Sequence, residues 1–559
     1  MDFEGSAEEM NQPSTQRIRL LAMLSGLMLG CSFPPIPLGI LATLAFVPFF
    51  IVLESIEKYG DAFRISYLTF LVFNAIAIYW PGGFVLGKDW YMMTAGLLLL
   101  LAHPLFFCVP VLAWMFIRQR FGFKVSLLTF PFLWVSFEYL HSLSDLAFPW
   151  LTIGNTQSYT LSAIQFASYT GVYGISFWLL CLNLIAYYLY AKLALGEWTP
   201  KSSQSIACVI LFFLLYALPR VQGRSVLEAG SREEASDARR VRVALIQPNI
   251  DPFEKWESRA DLQLATLQQM TSQIDRQNVD LVLWPETAIP FYILEQRNDY
   301  LLSQIKRQVD TLDVSLLTGM PDIVYYSPDE KIPNSSRKSA SGERYDSFNS
   351  SVLLQPYTAQ VQKYSKILLV PFAERVPFSE ELSFLNAMEW NFGLGGWGVG
   401  KDTAVFVCHK RDGSLIKFSN LICFESVYPG FVSQFVRKGA QFLTVITNDS
   451  WWGNTSGPYQ HEQLTVLRAV ENRRWIAVCG NGGISCIIDP FGHRVRSTEF
   501  DKRLTLVADL QLRNEMTFYS KHGDWFPELC LWLSLCFLTA GLGRSMYIRI
   551  RMKQEDEVH

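Results

Sequence analysis

The sequence predicts a multi-span α-helical membrane half joined to an α/β domain held outside the membrane. Three observations carry that prediction. The chain of 559 residues is longer than one ordinary core accommodates. A mean hydropathy of +0.17 and 14% aromatic content are high for a soluble protein. Long uncharged runs crowd the first part of the chain, whereas short apolar strands alternate with helical periodicity in the later part.

The elements follow in order. A membrane-crossing helix needs about 20 mostly apolar residues. Leu20 to Leu53 carries no charge and is broken by F-P-P-I-P at Phe33 to Pro37, because proline cannot continue a helix. This stretch therefore reads as two spans and a tight turn. Further spans are expected near 65–84, 90–117, 122–141, 170–191 and 203–220, with a last one near 526–548, eight in all. Apolar spans follow the first directly, so no separate cleavable leader is expected.

Lysine and arginine in the short loops set the orientation. Arg17 and Arg19 precede the first span, Arg118, Arg120 and Lys124 lie between the fourth and fifth, and Lys192 and Lys201 lie between the sixth and seventh. Arg544 lies at the end of the last, and Arg549, Arg551 and Lys553 follow it. The alternate loops are poorer: 34–37 has no charge, 85–89 has only Lys88, and 142–161 has no Lys or Arg. Both termini are therefore expected in the cytoplasm. In a bacterium this places a multi-pass protein in the inner (cytoplasmic) membrane, with the α/β domain on the periplasmic side.

Residues 221–240, charged and rich in Ser, Gly and Glu, read as a linker. Beyond it, V-R-V-A-L-I-Q-P, D-L-V-L-W-P-E, S-L-L-T-G-M, S-S-V-L-L-Q, N-L-I-C-F-E, F-L-T-V-I-T-N and G-I-S-C-I-I-D look like short buried strands. Helical patterns run from Arg259 to Arg276, Tyr428 to Gly439 and Gln460 to Arg474. The expected organisation is a cytoplasmic tail (1–16), seven helices (17–220), the linker, an α/β domain (241–512), a return segment with the eighth helix (513–548) and a second cytoplasmic tail (549–559).

Composition excludes several functions. A net charge of -3 gives no basic excess for nucleic acid. The ten cysteines form no Cys-x-x-Cys, and Cys31, Cys108, Cys181, Cys208, Cys530 and Cys536 lie in apolar runs. Cys408, Cys423, Cys479 and Cys486 are too few for a disulfide scaffold. The seven histidines show no metal-ligand spacing, so neither metal nor organic cofactor is expected.

Three kinds of reactive group fall at strand ends, where α/β folds open to ligands. Cys423 follows N-L-I with Glu425 two residues on, Glu286 follows L-V-L-W, and Lys366 and Glu374 flank I-L-L-V. A thiol must be deprotonated to attack. A carboxylate takes the proton, and an ammonium favours the thiolate and stabilises the oxyanion. Glu, Lys and Cys thus make a complete acyl-transfer set. Singly each has an ordinary reading: a packed cysteine, a capping glutamate, a solvated lysine.

In their order and contexts, W-P-E-T, Y-S-K-x-x-L-V-P-F-x-E and I-C-F-E-S resemble the Glu–Lys–Cys signature of the nitrilase superfamily. With the spans around them, and with F-P-P near Phe33, F-P-W-L-T-I-G-N-T-Q from Phe148, T-G-V-Y-G-I-S-F-W from Thr170, T-N-D-S-W-W-G, G-P-Y-Q-H and R-A-V-E-N-R-R, nearly the whole chain is similar to the apolipoprotein N-acyltransferase family. The resemblance implies an αββα nitrilase-like domain. It implies Cys423 as nucleophile, Glu286 as general base and Lys366 as stabiliser of the tetrahedral intermediate, with Glu374 and Glu425 in support. It implies substrate-binding roles for Trp256 and for Phe424, which stands where tyrosine is usual. The implied partners are a phospholipid acyl donor, a diacylglyceryl lipoprotein acceptor and the bilayer.

Other segments have plainer readings. N-F-G-L-G-G-W-G-V-G (Asn391–Gly400) lacks the lysine of a phosphate loop; it reads as a mobile loop in which Phe392 and Trp397 touch lipid, or as an ordinary irregular loop. His461 reads as a cap or surface group. In T-N-D-S-W-W-G, Asn448 and Asp449 read as shaping the turn after a strand and Trp451 and Trp452 as lining the site or sitting at the bilayer interface, with fold support the preferred reading. Phe33, Pro34, Phe148, Pro149 and Trp150 either bracket a lipid entrance or are aromatics and prolines of the kind that collect at span ends. Two alternatives remain at this stage: a membrane-tethered amidase or hydrolase, and a non-enzymatic scaffold or transporter. The latter predicts ionisable residues within the spans, and the first four are read as having none in their interiors.

Overall fold

The computed structural model describes residues 14–558 apart from 235–238, 256–259, 275–278, 328, 335 and 383–395. The N-terminal half is helical. Among the described residues, four helices are long and apolar enough to cross a membrane by length and composition: Trp90–Phe121, Ala167–Ala194, Ser203–Arg232 and Trp525–Asp556. Thr15–Cys31, Tyr59–Ala77 and Phe123–Ser142 lie where further spans are expected. The second expected span is divided into a 3-10 turn, Gly39–Thr43, and a nine-residue helix, Val47–Ser55. Contrary to the sequence reading, one ionisable residue lies inside the fourth: His103, 1% exposed. Its Nδ1 is 2.6 Å from Asn74 Oδ1, which supplies the polar partner a buried ring needs.

The second half contains β1 (Arg240–Gln247), β2 (Leu281–Leu283), β3 (Ser315–Tyr325), β4 (Arg337–Lys338), β5 (Arg344–Leu354), β6 (Val361–Ser365), β7 (Phe406–His409), β8 (Leu415–Ile422), β9 (Phe442–Thr447), β10 (Ile476–Gly480), β11 (Cys486–Ile488), β12 (Arg494–Ser497) and β13 (Leu504–Gln511). One sheet runs β13-β1-β2-β3-β5-β4 with β6 paired to β5; the other runs β12-β11-β10-β9-β8-β7. Each has a parallel centre, β1-β2-β3 and β8-β9-β10, which explains why those strands read as continuous apolar runs. The sheets meet face to face, with Cys479 Sγ of β10 within hydrogen-bonding reach of the Ile246 and Leu283 carbonyls at 3.4 and 3.3 Å.

Helices cover both outer faces. Ala260–Ser272 and Asp299–Leu312 lay Leu264, Leu267, Ile305 and Val309 against Ala244, Val282 and Leu316. Pro429–Arg437 and Ser456–Asn472 cover the other sheet with Val432, Phe435, Leu464 and Leu467. This is an αββα sandwich. Its second helical layer rests on the N-terminal half, so one apolar core runs from the membrane helices into the sheets.

Because it lies between two packed bodies, Ser456–Asn472 is buried nearly all round, and its polar side chains need protein partners. Gln460 shows how they are met. Its Oε1 accepts from Trp80 Nε1 at 2.9 Å and Trp150 Nε1 at 2.7 Å, while Nε2 donates to the Pro34 and Ala77 carbonyls at 2.7 and 2.9 Å. The Trp150 ring packs 4.8 Å from Trp80 and 6.0 Å from Trp452, and Trp451 packs 5.1 Å from Phe253. Phe33, Phe148 and Trp150 are buried here rather than open at span ends.

The expected linker needs correction. Helix Ser203–Glu234 continues through most of it without a break. Its polar composition resembles a linker, but Gly223 lies so close to the Ser162 carbonyl that a Cβ would meet it at 1.8 Å. Close packing of this kind holds the segment as a helix against Leu161–Ile164.

Candidate active site

Glu286, Lys366 and Cys423 come together at the strand ends, where both sheets open on the same side. Cys423 directly follows β8 with φ +52°, a left-handed conformation that costs a non-glycine residue roughly 1–3 kcal/mol unless its surroundings impose it. Those surroundings are a short 3-10 turn, Cys423–Val427, whose Ser426 Oγ donates to the Cys423 carbonyl at 2.8 Å. The turn lifts the side chain out of the strand row, and Cys423 is the one member of the trio left partly exposed.

Lys366 follows β6 and is 1% exposed. Its Nζ donates to Glu374 Oε1 at 2.8 Å and lies 3.4 Å from Glu286 Oε1. Burial opposes its charge, yet the Glu374 and Glu286 carboxylates outweigh burial and raise its pKa, so the ammonium stays charged. Asn349 of β5 ties the two acids together, its Nδ2 donating to Glu286 Oε1 at 2.8 Å and Glu374 Oε1 at 3.3 Å. Glu374 Oε2 also accepts from Val370 N at 2.8 Å, which closes the loop after Lys366.

Glu425 is buried, and burial pushes its carboxyl up to about 7 against the hydrogen bonds it receives. Its Oε1 accepts from Tyr364 Oη at 2.6 Å and Ile367 N at 2.7 Å, and its Oε2 from Ile422 N at 2.8 Å. It therefore joins the end of β8 to the Tyr364 hydroxyl before Lys366 and to the backbone just after it. Burial, then the Glu286 carboxylate, push the Cys423 thiol well up, opposed by Lys366. The resting thiol therefore keeps its proton.

Sequence reasoning missed four further groups. Lys255, 2% exposed, donates from Nζ to the Glu286 carbonyl at 3.0 Å and to Thr287 Oγ1 at 2.7 Å, gripping a turn in which Thr287 has φ +44°. Burial lowers its pKa to about 7. Asn349 gave no signal beyond a polar residue in an apolar strand. His461 and Asp449 were read as a cap and a turn former, yet His461 lies buried against the Cys423 turn. Cys423 Sγ, an Asp449 oxygen and a His461 ring nitrogen lie within 4.8 Å of one another, but both ring nitrogens are occupied by protein hydrogen bonds. In that state the cluster is a hydrogen-bond relay.

Trp256 lies outside the described residues, as do Phe392 and the first half of the glycine-rich loop. Trp397 donates its backbone N–H to the Glu374 carbonyl at 3.1 Å. Phe424 is 3% exposed, stacked 6.0 Å from Phe148 and set edge-on to Tyr428 at 5.2 Å, which makes it a packing residue of the seam.

Residues 25–185 match the family described as apolipoprotein N-acyltransferase N-terminal domain, and residues 242–516 match carbon-nitrogen hydrolase. An apolipoprotein N-acyltransferase from Chlorobaculum tepidum is 38% identical over 91% of this chain and 94% of its own length. One from Geobacter metallireducens is 32% identical over 92% and 94%. Among solved structures, a mutant of the Nesterenkonia AN1 amidase of the nitrilase superfamily covers 52% of this chain and 96% of its own, at 18% identity and a TM-score of 0.34.

Proposed function

The chain belongs to the apolipoprotein N-acyltransferase family, and from that premise we propose that it transfers an acyl chain from a membrane phospholipid to the N-terminal α-amine of a diacylglyceryl-cysteine lipoprotein, through a thioester on Cys423. The observation that carries the mechanism is the buried cluster in which Lys366 faces both Glu286 and Glu374 beside Cys423.

In the first half-reaction Glu286 takes the thiol proton as Sγ adds to the ester carbonyl. The Lys366 ammonium, kept charged by its two carboxylates, stabilises the oxyanion. Collapse breaks the acyl C–O bond, the proton passes from Glu286 to the leaving alkoxide, and a lysophospholipid departs. In the second, the lipoprotein amine adds to the thioester and loses a proton to Glu286. The C–S bond then breaks, yielding the amide and the free thiol. Two substrates used in turn at one sulfur require ping-pong kinetics. Glu374 and Glu425 support the trio, and no step calls on a metal or cofactor.

Both substrates are lipid-anchored, which accounts for a catalytic domain fused to apolar helices. In this reading all eight apolar segments, the second of them the divided stretch 39–55, cross the inner membrane, with the catalytic domain periplasmic and both termini cytoplasmic, as the distribution of Lys and Arg supports. Trp256 is placed at the entrance to the site.

Intact-mass spectrometry after incubation with phospholipid alone tests the proposal. Wild type should gain one acyl mass, removable by hydroxylamine, and Cys423→Ser should gain none or only a hydroxylamine-resistant ester. Intact phospholipid with no adduct would refute it. An adduct that turns over without an amine acceptor would point instead to a hydrolase.

A further inference from the structure

Behind the Cys423 turn lies a buried Ser–His–Asp relay that the mechanism above does not use. His461 is 2% exposed, Asp449 3% and Ser426 0%. His461 Nδ1 is 3.0 and 3.1 Å from the two Asp449 carboxylate oxygens, and Nε2 is 2.8 Å from Ser426 Oγ and 3.2 Å from the Cys423 carbonyl. Thr447 Oγ1 also donates to Asp449 at 2.7 Å. On the side of the N-terminal half the ring meets Trp150, 5.6 Å away and without charge.

Hydrogen-bond bookkeeping favours a doubly protonated ring. Ser426 has one hydroxyl proton to share between the Cys423 carbonyl and His461 Nε2, both at 2.8 Å, and giving it to the carbonyl lets every contact pair a donor with an acceptor. Nε2 must then donate to Ser426 Oγ, because an unprotonated Nε2 would set a lone pair against both that oxygen and the carbonyl. Nδ1 must also donate, because it faces only a carboxylate. All the contacts are satisfied together by an imidazolium paired with the Asp449 carboxylate.

We propose that His461 is a positioning residue that acts through Cys423: as an imidazolium it pins the strained turn by its carbonyl and cancels the Asp449 charge that would otherwise oppose the thiolate. The inference rests on Cys423 being the nucleophile. The titratable groups that face the ring are Asp449, Glu286 and Cys423 itself. The Asp449 and Glu286 carboxylates favour its charge, and burial opposes it. Asp449 and Glu286 both raise the thiol. Removing the imidazolium charge therefore leaves an unmatched carboxylate beside the sulfur.

The test is the pH dependence of iodoacetamide capture at Cys423 in the full-length protein, resolved by peptide mass spectrometry, for wild type, His461→Gln and His461→Ala. Gln keeps a neutral donor near the Nε2 position, so its turn should hold while its thiol titrates higher by one unit or more. That corresponds to about tenfold slower capture at neutral pH. Superposable wild-type and His461→Gln profiles, with His461→Ala merely less stable, would reduce His461 to a structural role and overturn the proposal. Phospholipid plays no part in the readout, so a shifted profile in a protein that forms no lipid thioester would sink the acyltransferase reading and leave this inference standing.

Discussion

Glu425 is the residue at which burial has its clearest cost. Its carboxyl is raised from an ordinary 4.5 to about 7 because burial outweighs the backbone N–H and Tyr364 donors that favour its charge. A folded-state value above the unfolded one means that the native protein binds the extra proton between those two values. Stability contributed by the protonated form is therefore present below about 4.5 and lost as pH rises through 7. Melting curves across that window should show a downward slope that Glu425→Gln flattens; parallel curves would remove the carboxyl from the account. Lys255 invites a kinetic test. Lys255→Met strips the Glu286 turn of both anchors, and thioester formation should fall by about 100-fold, the scale on which small misplacements act. A variant with unchanged acylation would show that the turn holds itself. The three reactive side chains were legible because each ends an apolar run. Lys255, Asn349 and His461 were not, because each meets its partner from far away in the chain: 31 residues separate Lys255 from Glu286, and 38 separate His461 from Cys423.

Among elements, β3 places Glu286. Its Gly319 donates to the Pro285 carbonyl at 3.2 Å and accepts from Ile289 N at 3.1 Å, so the strand cradles the turn that carries Glu286. A Cβ at Gly319 would stand 2.4 Å from Thr287 N and 2.8 Å from Glu286 Cα, and backbone atoms cannot rotate aside. Gly319→Ala should cost about 1–3 kcal/mol of stability and acylate slowly even where folded, read by melting and by intact mass. Normal acylation would mean that the turn tolerates displacement. The seven expected strands all lie in sheets, with β3 and β5 extending past the expected runs. Three strands of five or more residues, β6, β10 and β13, escaped notice. β10 directly follows a helix, and β13 alternates buried and exposed residues, a weaker signal than a continuous apolar run. Helix Asp299–Leu312, strongly amphipathic, was also passed over.

In the whole molecule, Gln460 and His461 are consecutive residues with opposite attachments. One is bonded to four groups of the N-terminal half, the other to the Cys423 turn. Gln460→Glu keeps the shape but sets an oxygen against the Pro34 and Ala77 carbonyls. It should lower the melting temperature and slow thioester formation together, since an unpaired buried polar group costs about 1–3 kcal/mol. Lost stability with undiminished acylation would show that the halves act independently.

The sequence by itself determined the helical and α/β halves, the order of the reactive residues and the family, because hydropathy, periodicity and strand-end chemistry are local properties of the chain. Only the tertiary structure decided that the supposed linker is a packed helix, that the aromatic loops form a seam, and that a histidine lies behind the thiol. Each of those depends on which distant groups share a buried space. A polar side chain looks the same in sequence whether water or another part of the chain satisfies it.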